Sequence, residues 1–238
     1  MLRLRDIRKT RGRGSQRYSL LVPALNLAAG QQFALVGPSG SGKSTLLDLL
    51  ALVLAPDPGG EMSLRVADRE IDLLRLWRDG QQERLAELRS REIGYVLQTG
   101  GLLGYLDVRR NIGLSRALLG LPQDDTVPRL ARQLEISEQL DKRPAALSVG
   151  QRQRVGIARA LAHGPRLLLA DEPTASLDPL NARRVLELLL EQSRSHQAGL
   201  LLSTHDPQLA LSVGLQLLQL RLRRDDDGGV TAILEAHG

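Results

Sequence analysis

Three short apolar runs recur along the chain, each closed by turn residues: QFALVG (Gln32–Gly37), RLLLAD (Arg166–Asp171) and GLLLST (Gly199–Thr204). None alternates with polar residues, so each suits a strand buried on both faces of a sheet. Helical stretches follow them, which predicts an α/β fold with a mainly parallel sheet. Ahead of the first run, Leu2 to Leu27 gives short strand-like pieces separated by loops, the pattern of an N-terminal antiparallel β region. From about 91 to 165 the pattern is mostly helical, divided by Pro122, Pro128 and Pro144, and predicts a helical lobe inserted into the core. DDDGG (Asp225–Gly229) is a hairpin-turn signal between two terminal strands. The expected organisation is one domain over 1–238, with an α/β core from 1–90 and 166–238.

Composition narrows the chemistry. The chain has 238 residues, no cysteine and a net charge of +5, which removes disulfides, thiolate metal sites and cysteine nucleophiles together. Lys9, Lys43 and Lys142 are its only lysines, so the basic balance is carried by arginine. A basic surface suits nucleic acid or an anionic membrane. Basic residues spread along the chain suit an ordinary solvated surface equally well. The densest cluster, Arg8 to Arg17, contains Gly12 and Gly14 and reads as a loop between two early strands. The N-terminus carries charge but no following apolar segment of a leader. No uncharged apolar run approaches the ~18 residues of a membrane span. Any membrane role is therefore expected to act through a partner.

The segment GPSGSGKST, Gly37-Pro38-Ser39-Gly40-Ser41-Gly42-Lys43-Ser44-Thr45, fits G-x-x-x-x-G-K-[ST], following a predicted strand and opening a predicted helix. Its glycines let backbone N–H groups close around a polyphosphate. Lys43 brings charge to the β and γ phosphates, and the Ser44 hydroxyl suits Mg²⁺. At the end of the second apolar run, Asp171 is placed to hold Mg²⁺ and Glu172 to polarise an attacking water. Adjacent carboxylates also serve as a helix cap or surface turn, but a central strand end is where open α/β sheets bind ligands. His205 follows the third run and is expected to reach the γ phosphate from the same edge. His163, His196 and His237 read as loop or tail residues.

A second anion-binding helix start appears at Ser148-Val149-Gly150-Gln151. The S-x-x-Q spacing is a capping box ahead of a helical pattern that stops at Gly164-Pro165. It has no lysine, and alone it is an ordinary capped helix. As an ordered set, however, the Gly37–Thr45 loop, Gln98 after YVL, LSVGQ (Leu147–Gln151), LLLADE, SLD (Ser176–Asp178) and His205 resemble the ATP-binding cassette (ABC) ATPases over nearly the whole chain. The resemblance implies a P-loop nucleoside-triphosphatase core that binds ATP and Mg²⁺ and hydrolyses ATP. It further implies a head-to-tail homodimer in which Ser148, Gly150, Gln151 and Asp178 of one copy complete the nucleotide site of the other.

By the same resemblance Gln98 contacts Mg²⁺ or the attacking water, and Tyr18 stacks on adenine, with a core tyrosine as the competing reading. Two departures stand out: Val149 where the family has glycine, and TGGLLGYLDVRRNI after Gln98, with Gly104 at the turn and Arg110 where Glu is frequent. LAELRSREIGYVLQ (Leu85–Gln98) resembles the lipoprotein-release and macrolide-export group. About thirty residues follow His205, fewer than the regulatory domain of many importer cassettes. The expected role is thus a motor subunit with two integral-membrane permease partners, peripheral on the cytoplasmic face of the inner membrane, with no nucleic acid. A small-solute importer cassette or a nucleic-acid-linked ABC ATPase is the alternative.

Overall fold

The computed structural model describes residues 1–98 and 100–236; Thr99, His237 and Gly238 lie outside the described residues. The chain opens with two ten-residue strands, β1 (Leu2–Arg11) and β2 (Tyr18–Leu27), longer than the short pieces expected there. Then come β3 (Gln32–Val36), α1 (Lys43–Leu50), β4 (Glu61–Val66), β5 (Arg69–Asp72), α2 (Leu73–Arg78), α3 (Gln82–Glu92) and β6 (Ile93–Val96). The helical lobe supplies α4 (Val108–Leu118), α5 (Thr126–Gln133) and α6 (Val149–Leu161). The core resumes with β7 (Leu167–Ala170), α7 (Pro179–Ser195), β8 (Gly199–Ser203), α8 (Pro207–Ser212), β9 (Gln216–Arg224) and β10 (Val230–Ala236).

All the described strands join one sheet in the order β5-β4-β1-β2-β10-β9-β3-β8-β7-β6. The half from β9 to β6 is parallel. The β5-β4-β1-β2 half is antiparallel. The two halves meet where β10 runs parallel to β2 and antiparallel to β9. The β9–β10 hairpin turns at DDDGG as the sequence predicts, closed by Asp225 N–H donating to Gly229 O (2.9 Å) and Gly228 N–H to Asp225 O (2.9 Å).

Burial on both faces explains the unalternated runs. Leu167, Leu169 and Leu201 pack into one core with α1, α2, α3 and the antiparallel strands. Their neighbours Leu168, Ala170, Leu200 and Leu202 pack on the other face against residues of α4 to α8. Two sequence expectations need correction. Ile93–Val96 is a core strand paired with β7, so the helical lobe begins after Val96 and not near 91. Gly94 allows this: a Cβ there would lie 2.3 Å from Ala160 O, so only glycine lets α6 pack onto the strand. Pro128 does not break a helix but sits in the first turn of α5, where its missing N–H leaves nothing unpaired.

Candidate functional site

The loop between β3 and α1 is held open from within. Gly42 takes a left-handed φ of 88° and caps α1, a conformation glycine adopts without strain. Space demands glycine there as well, since a Cβ would fall 1.8 Å from the Tyr18 hydroxyl. That hydroxyl donates to Ser41 O (2.8 Å), so Tyr18 is a strut beneath the loop. Lys43 is buried, and its Nζ donates to Gly37 O (3.0 Å) and Pro38 O (3.2 Å). Burial pushes its amine below the ordinary lysine range, while Glu172 and Asp171 oppose that shift. Ser41 Oγ is buried without a hydrogen-bond partner among the described residues.

Parallel pairing brings the ends of β7 and β8 beside this loop. Asp171 N–H still donates to Val96 O (2.9 Å) as β7 ends. Glu172 then turns sharply, with φ 45°, a region costly for a residue with a side chain and favoured where function fixes the geometry. Ser203, at the end of β8, holds the turn: its Oγ accepts from Glu172 N–H (2.9 Å) and donates to Asp171 Oδ1 (2.6 Å). The Glu172 carboxylate is contacted by His205 Nε2. It also accepts from Gln98 Nε2 at 3.4 Å and lies 4.0 Å from Lys43 Nζ. The structure thus brings Lys43, Gln98, Asp171, Glu172 and His205 together. Ser203 was missed in the sequence, although one signal was present, a hydroxyl closing an otherwise apolar strand.

Ser148 starts α6 with the expected capping box: Ser148 Oγ accepts from Gln151 N–H (3.2 Å), and Gln151 Oε1 accepts from Ser148 N–H (2.9 Å). Val149 is the first helical residue and keeps a negative φ, so its branching strains nothing. Ser148 and Val149 are exposed, and among the described residues no hydrogen bond links 148–151 to the Gly37–Thr45 loop of the same chain. Asp178 is also exposed and caps α7, accepting from Leu180 N–H (3.2 Å) and Asn181 N–H (3.1 Å). Hydrogen bonds from the Asn181 side chain and backbone hold its carboxyl below the usual range.

The donor set fits a magnesium–triphosphate complex. Ser44, Gln98 and Asp171 offer hard oxygen ligands. No cluster of three His, Cys, Asp or Glu suited to a metal occurs among the described residues.

Two outcomes follow from this geometry. Ser203→Ala leaves the Glu172 N–H unpaired and the Asp171 carboxylate without its donor. Stability should fall by about 1–3 kcal/mol in urea denaturation, whereas a solvated serine would cost nothing. Tyr18 is pushed up to about 12 by burial. A raised folded pKa gives stability that is complete below the unfolded value near 10 and lost as pH rises through about 12. The stability difference between the parent and Tyr18→Phe should therefore be flat below pH ~10 and shift against the parent above it.

The sequence profile of the family described as ABC transporter matches residues 22–175. The chain is 38% identical over 211 residues to the lipoprotein-releasing system ATP-binding protein LolD of Nitrobacter winogradskyi, covering 87% of each. It is 38% identical over 214 residues to the macrolide export ATP-binding/permease protein MacB of Bordetella avium, covering 88% of this chain but only 31% of that one. Among solved structures, the dimeric ATP-binding cassette MJ0796 in a post-hydrolysis state with ADP and phosphate superposes with a TM-score of 0.79 at 29% identity over 100% of both chains. With its loop, paired carboxylates and second helix start in the arrangement described, the chain belongs to the ABC transporter family as an ATP-binding, ATP-hydrolysing cassette.

Proposed function

We propose that the chain is the motor subunit of a membrane complex of the lipoprotein-release or macrolide-export type, acting as a head-to-tail dimer on the cytoplasmic face of the cell membrane. The observation that carries the mechanism is the convergence of His205, Gln98 and Lys43 on one carboxylate, Glu172. The loop amides and Lys43 hold the β and γ phosphates of ATP, Lys43 exchanging its carbonyl partners for phosphate oxygens. Glu172 takes a proton from the attacking water as the new O–P bond forms and the bond to the β-phosphate oxygen breaks. His205 and Gln98 fix the direction of that carboxylate. Ser44, Gln98 and Asp171 would hold Mg²⁺, which would supply positive charge against the β and γ phosphates.

The exposed start of α6 supplies donors without a cation, which suits a γ phosphate already held by Lys43 of another copy. Asp178 lies at the same interface, at the head of α7. Loss of the γ phosphate removes the charge that holds the two copies together. Among the described residues no helix is long and apolar enough to cross a membrane, so force reaches the bilayer through permease partners. The lipoprotein and macrolide named for the relatives define the cargo class proposed here.

Mixing separates a site built between copies from one built within a copy. Lys43→Ala and Ser148→Arg each abolish turnover as pure proteins. Mixed, they form heterodimers with one wholly intact site, and ATPase activity returns. Absence of any gain on mixing, in a sample shown to contain heterodimers, places Ser148 in the same site as its own Lys43. Glu172→Gln should lower kcat by about 10²–10⁴-fold, retain MgATP and elute as an ATP-dependent dimer. Captured with ATP from native membranes, that variant should bring down a partner with few spans and a large extracytoplasmic domain. A many-span permease accompanied by a solute-binding protein means an importer.

A further inference from the structure

The alternation of β1 singles out one residue beside the loop. Asp6 has a left-handed φ of 50° within β1. Beyond it, Ile7, Lys9 and Arg11 share one face, opposite Val22, Leu20 and Tyr18 respectively. Ile7, Leu20 and Val22 are fully buried, so this is the core-facing side. At the rim that face ends in two cations. Lys9 is taken by Asp57 (3.8 Å). Arg11 is exposed and has no ion pair or side-chain hydrogen bond among the described residues. Directly opposite it, Tyr18 is committed to Ser41 O and packed against Gly42. Cross-strand partners have Cβ atoms about 5 Å apart, so Arg11 stands at the mouth of the loop, beyond the strut. Its charge is felt at both Tyr18 and Asp48 of α1, opposing the upward shift that burial imposes on each.

We propose that Arg11 is the residue that carries the nucleotide base, its guanidinium plane stacked on the ring, while Tyr18 serves the loop and not the base. This rests on the Gly37–Thr45 loop being the triphosphate site. A guanidinium is planar, permanently charged and stacks on aromatic faces. Among the described residues it is the one unpaired planar group that the core-facing side of the β1–β2 hairpin presents next to that loop. Arg17, at the same end of the hairpin, is occupied by Asp225 (3.1 Å) and Asp227 (2.9 Å). Stacking does not read exocyclic groups, so Arg11 gives purine triphosphates as a class their grip and discriminates little between adenine and guanine.

The test is equilibrium binding of MgATP, MgGTP and inorganic tripolyphosphate to the full chain and to Arg11→Ala, Arg11→Gln, Arg11→Tyr and Arg13→Ala. Arg13→Ala removes the same charge from the same hairpin and reports the general electrostatic field. The expected result is that Arg11→Ala and Arg11→Gln weaken ATP and GTP alike by about tenfold, leave tripolyphosphate unchanged, and that Arg11→Tyr restores both nucleotides. Equal loss for tripolyphosphate, an equal effect of Arg13→Ala, or no effect of Arg11→Ala overturns the assignment. Failure of the parent chain to bind either nucleotide or tripolyphosphate instead overturns the reading of the loop, a separable outcome. Thermal melts of each variant establish that folding is unchanged.

Discussion

The site depends on the parallel pairing of β3, β8, β7 and β6. Parallel strands end on the same edge, and here that edge receives the phosphate loop after β3, Asp171 and Glu172 after β7, and His205 after β8. Gln98 follows the end of β6, which pairs with β7 over Ile93–Val96. Lys43 and His205, 162 positions apart, thereby meet the same carboxylate at one edge without any long loop having to find its place. Burial on both faces enforces the register. A one-residue slip of β7 would carry Leu168 and Ala170 from one core into the other.

Within that edge the two carboxylates are neighbours with different partners. Asp171 continues the strand direction and keeps a backbone bond to Val96, whereas Glu172 departs from it through a left-handed turn. The Ser203 hydroxyl fixes both at once, accepting from one residue's amide and donating to the other's carboxylate. A backbone conformation of this kind costs of order 1–3 kcal/mol. Hydrogen bonds to a charged group, in a site largely withdrawn from water, are of the right size to offset it.

What the sequence revealed and what it hid divide along one line. Features with short-range causes were legible: the glycine-lysine-serine loop, the capping box at Ser148, the DDDGG turn. Each needs only residues within a few positions of one another. What depended on a neighbour far along the chain was not. YVL reads as strand-like in the sequence, but that Ile93–Val96 belongs to the core sheet rather than to the helical lobe is set by β7, far along the chain. Pro128 was read as a break although Asp124 and Asp125 precede it: the side chain of Asp125, at the N-cap, makes no cap bond, and Thr126 N–H donates to Asp124 Oδ1 (2.9 Å) instead. Ser203 acquires its role from Asp171 and Glu172, and Tyr18 from Ser41, pairs the linear order does not show. The family resemblance supplied an aromatic for adenine; the fold sets that aromatic against the loop, with its hydroxyl on Ser41 O.

The helical lobe raises the remaining physical question, how an event at Glu172 can be felt at Ser148. Gln98 donates to Glu172 and opens the segment that leads into the lobe. That segment is fastened to α6 by Arg159, a partly buried guanidinium donating to Gly101 O (2.8 Å) and Gly100 O (3.0 Å). Burial lowers its pKa from the ordinary arginine value, but arginine stays charged at physiological pH, so releasing those carbonyls would leave a charge desolvated and unpaired. Asn111 fastens the far end of the segment, its amide donating to the carbonyls of Leu103, Leu106 and Asp107. Between these two anchors the segment has little freedom to move without α4 and α6. In the function proposed above, a shift of Gln98 as its partner carboxylate turns to a water would be passed through these anchors to the helix that begins at Ser148.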